Sequence, residues 1–212
     1  SPIGTVGGPT WDWDTLSFEE KVAKTAMQGR PIFGVELRTI DLDDPAKVLP
    51  RDGESSGALQ IRGPWIIKRY FKAEEDATDA DGWFDTGDVG VIHPDGTLQL
   101  TDRTKDVIKS GGEWISSVEL ENAAMAHPGV AEAAAIGIRH PKWEERPLLL
   151  VVRKPGSTAD AEEIREILRQ RVAKWWLPDD VVFVNELPHT ATGKLLKTKL
   201  RDMYRDHRLP GV

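Results

Sequence analysis

The chain has 212 residues, enough for one large domain or for two small domains that each bury a core. Its 28 Lys and Arg residues against 35 Asp and Glu residues give a net charge of −7 without any long block of like charges, which argues against nucleic-acid and anionic-membrane partners. No apolar run approaches the roughly 20 residues of a transmembrane segment. The chain has no cysteine, which excludes disulfides, thiolate zinc sites and cysteine nucleophiles, and with no signal-peptide pattern this favours the cytoplasm.

The first half of the chain carries mainly strand signals after one helix. Ser17 and Glu20 fit a capping box and predict a helix over about 18–28. Alternation of apolar and polar side chains predicts a strand over 33–40 and a hairpin over 89–103. We therefore expect a small β-rich barrel or sandwich in the first hundred residues.

The pattern changes near residues 103–106, where strands begin to alternate with helices. Ser116 and Glu119 fit a second capping box. The predicted elements that follow are strands over 130–138, 147–153 and 181–187, and helices over 160–173 and about 193–205. Strands mixed with helices predict a compact α+β unit, with the domain boundary at the change of pattern.

Two acidic residues stand in the glycine-punctuated segment GWFDTGD, residues 82–88. The sequence predicts a turn here, and a carboxylate held rigidly in a turn is a good acceptor, for example for the 2′ and 3′ hydroxyls of a ribose. The alternative is that Asp and Gly are simply the residues that turns use.

A second segment, TDRTKDVIKSGGEW, combines three cations, two glycines and a tryptophan. Arg103 could donate paired hydrogen bonds to a ribose or phosphate, and Lys109 could place its compact positive charge beside a phosphate. Gly111 and Gly112 would let the backbone approach a ligand closely, beside Trp114. The alternative is a solvated cluster of charges at a domain junction.

A third segment, PHTATGKL, precedes the last predicted helix. Thr192 is the predicted N-cap, which places Lys194 in the first helical turn, where the helix dipole disfavours a cation by up to about 1 kcal/mol. A sequence accepts this cost more readily if the ammonium meets an anion. The alternative is that Lys194 points to water, as expected for Lys197 and Lys199 in the same helix.

Motifs for metal binding or hydrolysis are missing. The five histidines show no metal-ligand spacing. No nucleophile elbow, zinc-protease helix or Walker A loop occurs. We predict no metal site and no hydrolase triad in these residues.

Taken together, three motifs in this order and spacing resemble the adenylate-forming superfamily of acyl-CoA synthetases, adenylation domains and luciferases. The motifs are GWFDTGD, TDRTKDVIKSGGEWISSVELE and TATGKLLKTKLR, and the resemblance extends through essentially the whole chain. The GGEWISS run and the segment HPKWEERP at 140–147 are most similar to medium- and long-chain fatty acyl-CoA synthetases. Amino-acid-activating domains usually carry Gly-x-Arg-Ile-Glu where this chain has Glu113-Trp114-Ile115.

The resemblance implies an acid–thiol ligase that uses ATP, CoA and a fatty acid. The carboxylate attacks the α-phosphate of ATP to give an acyl-adenylate and pyrophosphate, and the thiol of CoA then displaces AMP to give the thioester. Mg²⁺ is the implied metal, and the family's acidic ligand for it lies before the segment that resembles Ser1-Pro2, so we expect that ligand outside these residues.

The resemblance also implies roles for individual residues. Asp88 would bind the ribose hydroxyls, and Arg103 would bind the same sugar. Lys109 would approach the phosphate side, and Trp114 would lie at the nucleotide pocket. Lys194 would be the catalytic residue that bridges the attacking carboxylate and the α-phosphate.

In the family, the C-terminal domain rotates about a hinge between the two half-reactions. Lys105 occupies the hinge position in this chain. One face of the rotating domain would offer Lys194 for adenylation, and another would offer the loop of Gly111 and Gly112 for the entry of CoA.

The family's phosphate-binding loop and acyl pocket have no counterpart in this sequence, so the resemblance implies the C-terminal part of such an enzyme. We expect an α+β fold, with a β-rich, barrel-like part of the large domain over 1–103 and a compact α+β lid over 104–212. Alone, this part is not expected to catalyse adenylation. The alternatives are a ligase for another carboxylate class and a non-catalytic module that binds nucleotide or a partner. The β-rich part could also pack against a second copy in a homo-oligomer.

Overall fold

The computed structural model describes residues 3–211 and divides into two compact units. The units are Ser1–Lys105 and Asp106–Val212, whereas the sequence placed the division after Arg103. In the part of the chain that is described, no helix is both long enough and apolar enough to cross a bilayer.

The described part of the first unit contains a two-stranded ribbon, a short 3-10 helix (Trp13–Thr15), one α-helix and a four-stranded antiparallel sheet. In chain order its elements are β1 (Thr5–Val6), α1 (Phe18–Thr25), β2 (Arg30–Pro31), β3 (Glu36–Ile40), β4 (Gly57–Arg62), β5 (Phe84–Ile92) and β6 (Leu98–Arg103). The predicted capping box at the start of α1 is confirmed: the Ser17 hydroxyl accepts the Glu20 N–H at 3.2 Å, and the Glu20 carboxylate accepts the Ser17 N–H at 2.7 Å. The helix ends at Thr25, earlier than predicted.

The four-stranded sheet runs in the order β3-β4-β5-β6, with antiparallel neighbours throughout. The predicted hairpin is confirmed, since the Gly96 N–H donates to the His93 carbonyl at 2.8 Å in the turn between β5 and β6. The expected barrel is not formed: among residues 3–211, β3 and β6 do not pair, and the sheet stays open. Four strands are too few to curl into a closed barrel around a filled interior.

The second unit is a mixed α+β domain, which confirms the predicted fold class. Its elements are β7 (Ile108–Ser110), β8 (Glu113–Ile115), α2 (Ser117–Met125), β9 (Val130–His140), β10 (Glu144–Arg153), α3 (Ala161–Arg169), β11 (Asp180–Val184) and α4 (Lys197–Met203). β10 pairs with β9 antiparallel and with β11 parallel, and the β7–β8 hairpin joins this sheet through Glu144 and Ser110.

The sheet of the second unit is covered by helices on both faces. Leu148–Val151 of β10 are fully buried, and alternate residues of a strand point to opposite faces. These residues divide between two core clusters. α2 and α3 supply Leu120 and Leu168 to one cluster, while α4 supplies Leu200 to the other.

The start of the last helix differs from the prediction. Gly193 has φ +78°, a left-handed conformation that an α-helix cannot contain, and the helix spans Lys197–Met203. Its N-cap is Leu196, not Thr192, whose hydroxyl pairs instead with another threonine hydroxyl of the preceding loop. Lys194 therefore lies in the loop before the helix and not in its first turn.

Candidate functional site

Asp88 and Arg103 face each other on neighbouring strands of the first unit. They are register partners on β5 and β6, and Arg103 Nε lies 2.9 Å from Asp88 Oδ1. The Arg103 side chain is 56% exposed and that of Asp88 is 21% exposed. The structure thus brings the two predicted ribose-binding side chains together, with the guanidinium more accessible than the carboxylate.

A bulge in β5 sets the position of Asp88. The sequence predicts a turn over residues 82–88, but the strand already begins at Phe84. Between two paired positions, β5 has three residues, Thr86, Gly87 and Asp88, where β4 has only Leu59. The Thr86 hydroxyl donates to the Leu59 carbonyl at 3.1 Å. Gly87 takes φ +72°, which permits the extra residues of the bulge.

Trp83 holds in place the residues that lead into this bulge, and nothing in the sequence indicated this role. The guanidinium groups of Arg38 and Arg62 lie 4.2 and 4.5 Å from its ring centroid. Its backbone N–H donates to Asp79 Oδ1 at 2.8 Å. The two cation–π contacts and the buried ring hold the start of the GWFDTGD segment against the sheet.

Lys105 is exposed and lies between two anchored neighbours. The Thr104 N–H donates to the Gly87 carbonyl at 3.0 Å, which ties Thr104 to the first unit. Asp106 Oδ1 accepts from Arg201 at 2.9 Å, which ties Asp106 to α4 of the second unit. The predicted hinge residue is therefore the one position between these two attachments.

The β7–β8 hairpin brings Lys109 and Trp114 together. The two residues are register partners, and Lys109 Nζ lies 5.1 Å from the Trp114 ring centroid. Gly111 and Gly112, with φ +62° and +84°, form the two-residue turn, which requires positive φ at both positions.

The two glycines of this turn have different surroundings. The Gly111 N–H donates to the Trp143 carbonyl at 2.9 Å, and a Cβ at Gly111 would lie 2.9 Å from the Trp143 ring. A Cβ at Gly112 would meet nothing within 4 Å. The close approach expected at Gly111 is thus to Trp143 of the protein itself, while Gly112 is open.

A cleft of about 390 Å³ adjoins this hairpin, between Trp143 and Trp175. Arg146 is one of the residues that line this cleft. Its guanidinium donates to Asp179 Oδ1 at 2.7 and 2.9 Å, to Ser110 Oγ at 3.1 Å and to the Trp175 carbonyl at 2.8 Å. Arg146 is not among the predicted site residues, although its place in the HPKWEERP segment was a signal. Because its donors are engaged by the protein, Arg146 shapes the cleft and holds the base of the hairpin.

Lys194 projects from a short closed loop. The Thr190 N–H donates to the Lys194 carbonyl at 2.7 Å, and the Lys194 N–H donates to the Thr190 hydroxyl at 3.1 Å. The Leu196 N–H closes the loop on the Pro188 carbonyl at 2.8 Å. The loop therefore presents an exposed lysine on an ordered backbone.

Lys197 does not point to water, so the prediction for this residue is wrong. It is 9% exposed and is the first residue of α4, so the helix-dipole argument made for Lys194 applies to Lys197 instead. Its Nζ lies 2.7 Å from Ser117 Oγ and 2.6 Å from Glu121 Oε1. Lys199 is exposed, as expected.

Among residues 3–211, no group of three or more His, Cys, Asp or Glu side chains is placed to hold a metal ion.

Residues 119–194 match the sequence model of the AMP-binding enzyme C-terminal domain, and the second unit belongs to this family. The 3-methylmercaptopropionyl-CoA ligase of Ruegeria lacuscaerulensis is 50% identical over 206 residues, covering 97% of this chain and 38% of that protein. The medium-chain-fatty-acid–CoA ligase of Ectopseudomonas oleovorans is 48% identical over 206 residues, covering 97% and 37%.

Among solved structures, ATP-bound MatB from Rhodopseudomonas palustris is similar, with a TM-score of 0.76 and 34% identity over 85% of this chain and 36% of that one. The chain spans less than two fifths of the length of each of these three proteins. It thus carries the C-terminal domain of the adenylate-forming enzymes.

Proposed function

We propose that the chain is the C-terminal part of an ATP-dependent fatty acid–CoA ligase. The observation that carries the proposal is Lys194, an exposed cation on a closed loop at the end of the segment that matches the AMP-binding C-terminal domain. The relatives that cover nearly all of the chain include CoA ligases for a medium-chain fatty acid and for 3-methylmercaptopropionate.

In the first half-reaction, a carboxylate oxygen attacks the α-phosphorus of ATP, a new P–O bond forms, and the bond to pyrophosphate breaks. Negative charge crowds the phosphoryl oxygens, so a preorganised cation is worth several kcal/mol there. The Lys194 ammonium also brings together two anions that would otherwise repel each other. In the second half-reaction, the sulfur of CoA attacks the acyl carbon, and AMP leaves.

The first unit would hold the sugar. Asp88 can accept from the 2′ and 3′ hydroxyls, and Arg103, already in contact with Asp88, has further N–H groups to donate to the same ribose. In the second unit, Lys109 would approach the phosphates and Trp114 would lie at the nucleotide pocket. Mg²⁺ is the metal that the resemblance implies, and we expect its acidic ligand outside these residues.

The first unit would be the tail of the large domain, and the second unit the mobile lid. Lys105, between the two anchored residues, is where a rotation can be absorbed by a few backbone dihedral angles. The open side of the hairpin at Gly112, with the adjoining cleft, would face the entering CoA. A cytoplasmic location and a homo-oligomer remain predictions.

A ligase for another carboxylate is the second candidate, favoured by the 50% identity to an enzyme named for 3-methylmercaptopropionate. ATP–pyrophosphate exchange by the full-length protein that contains this chain separates the two. The proposal predicts exchange with medium- and long-chain fatty acids in preference to 3-methylmercaptopropionate and aromatic acids. Preference for one of the latter would support the second candidate, and exchange with no acid would contradict both.

A non-catalytic binding module is a third reading, and the isolated chain can be used to test it. Titration with AMP and with CoA should show weak binding, since the tail of the large domain and the lid together supply only part of the site. Strong nucleotide binding by the chain alone would favour the binding module.

A further inference from the structure

Lys197 is a buried lysine with no part in the proposed chemistry. Its ammonium lies between Ser117 Oγ, at 2.7 Å, and Glu121 Oε1, at 2.6 Å. The Lys197 and Glu121 side chains are 9% and 15% exposed. A buried ammonium is costly unless it is paired and hydrogen-bonded, so these contacts hold it where it is.

Glu121 connects this ammonium to the edge of the sheet. Its Oε1 also accepts the Ala135 N–H of β9 at 2.9 Å, and among the described strands β9 pairs with β10 alone. α2, which carries Glu121, and α4, which begins at Lys197, pack on opposite faces of that sheet. The ion pair therefore joins the two helices around the β9 edge.

The ion pair also lies at the base of the loop that presents Lys194. The bond from the Leu196 N–H to the Pro188 carbonyl closes the loop, and Lys197 follows directly. We propose that Lys197 is a positioning residue for adenylation: anchored by Glu121 and Ser117, it fixes the base of the loop and so the reach of the Lys194 ammonium. This inference rests on the proposed function.

The test uses the full-length ligase with Lys197→Met, and Lys199→Met as the matched control, since Lys199 is an exposed lysine of the same helix. Single-turnover adenylation at saturating ATP should fall about 100-fold in Lys197→Met, the cost of a misplacement of about 1 Å. The KM for ATP and thioester formation from supplied acyl-adenylate should be unchanged. Hydrogen exchange at the amides of Gly193 and Lys194 should be faster, and Lys197→Arg should restore part of the lost rate. Lys199→Met should match the wild type in every measurement.

If Lys197→Met does not fold, Glu121→Gln takes its place in the same measurements and should also slow adenylation. In this variant the ion pair with Lys197 is lost, but the amide oxygen can still accept the Ala135 N–H. Equal loss of both half-reactions, or loss of neither, in the folded variant would overturn the inference. Failure of the proposed function looks different: the unaltered full-length protein would then show no ATP–pyrophosphate exchange with any acid. Failure of the role of Lys194 alone would leave Lys194→Ala with full adenylation. An inactive Lys194→Ala beside an active Lys197→Met would contradict this inference alone.

Discussion

Arg103 Nε lies 2.9 Å from Oδ1 of Asp88 across the paired strands β5 and β6. Ion pairs as exposed as this one typically contribute about 0–1 kcal/mol to stability. The pair is therefore a weak element of the fold, and its carboxylate and guanidinium, presented side by side, would suit the ribose diol that we propose they bind. Its two members should thus matter more for nucleotide binding than for folding.

Arg103→Ala is expected to lower the free energy of unfolding of the chain by less than about 1 kcal/mol, as measured in urea. In the full-length ligase the same change should raise the KM for ATP, because a donor to the ribose is lost. Arg69→Ala is the matched control, since Arg69 forms an exposed ion pair with Asp76 in the same unit, and it should leave that KM unchanged. A large loss of stability with an unaltered KM would make Arg103 a structural residue.

Gly111→Ala should destabilise the second unit more than Gly112→Ala. Both substitutions place a side chain at positive φ, at a cost of about 1–2 kcal/mol each. Only Gly111→Ala also drives a methyl group to within 2.9 Å of the Trp143 ring. Urea unfolding of the two variants measures the difference, and equal midpoints would contradict the contact with Trp143. In the ligase, Gly111→Ala should slow thioester formation more than adenylation.

Arg146→Met should lower the free energy of unfolding by about 2 kcal/mol, less than for a fully buried pair because Asp179 is partly exposed. Lys is a poor substitute, since one ammonium cannot reproduce the fork onto Asp179 together with the bonds to Ser110 and the Trp175 carbonyl. Arg169→Met, on the exposed face of α3, should leave the unfolding midpoint in place. A similar small effect for both variants would show that Arg146 does not organise the cleft.

Local signals in the sequence predicted much of the fold. The Ser17 capping box and the hairpin at Gly96 depend on residues a few positions apart, so each motif specifies its own geometry. The start of α4 was misplaced because Thr192 has the chemistry of an N-cap, while the positive φ of Gly193 ends any helix there.

The burial of Lys197 could not be read from its own segment. Its partners, Ser117 and Glu121, lie about 80 positions earlier in the chain and come close only when α2 and α4 pack on the same sheet. The same reason applies to Trp83, because the two arginines that contact its ring, Arg38 and Arg62, come from β3 and β4. Motif resemblance suggests which residues are used, but tertiary packing decides which of them are held in place.

The most direct test of the account is the effect of Lys194→Ala on the two half-reactions of the full-length ligase, followed separately in single turnover. We predict that acyl-adenylate formation is abolished, because the ammonium that would stabilise the charge at the α-phosphate and hold the carboxylate beside it is lost. Thioester formation from supplied acyl-adenylate should be largely intact, and Lys199→Ala should affect neither step. Equal loss of both half-reactions in Lys194→Ala would contradict the role assigned to this lysine.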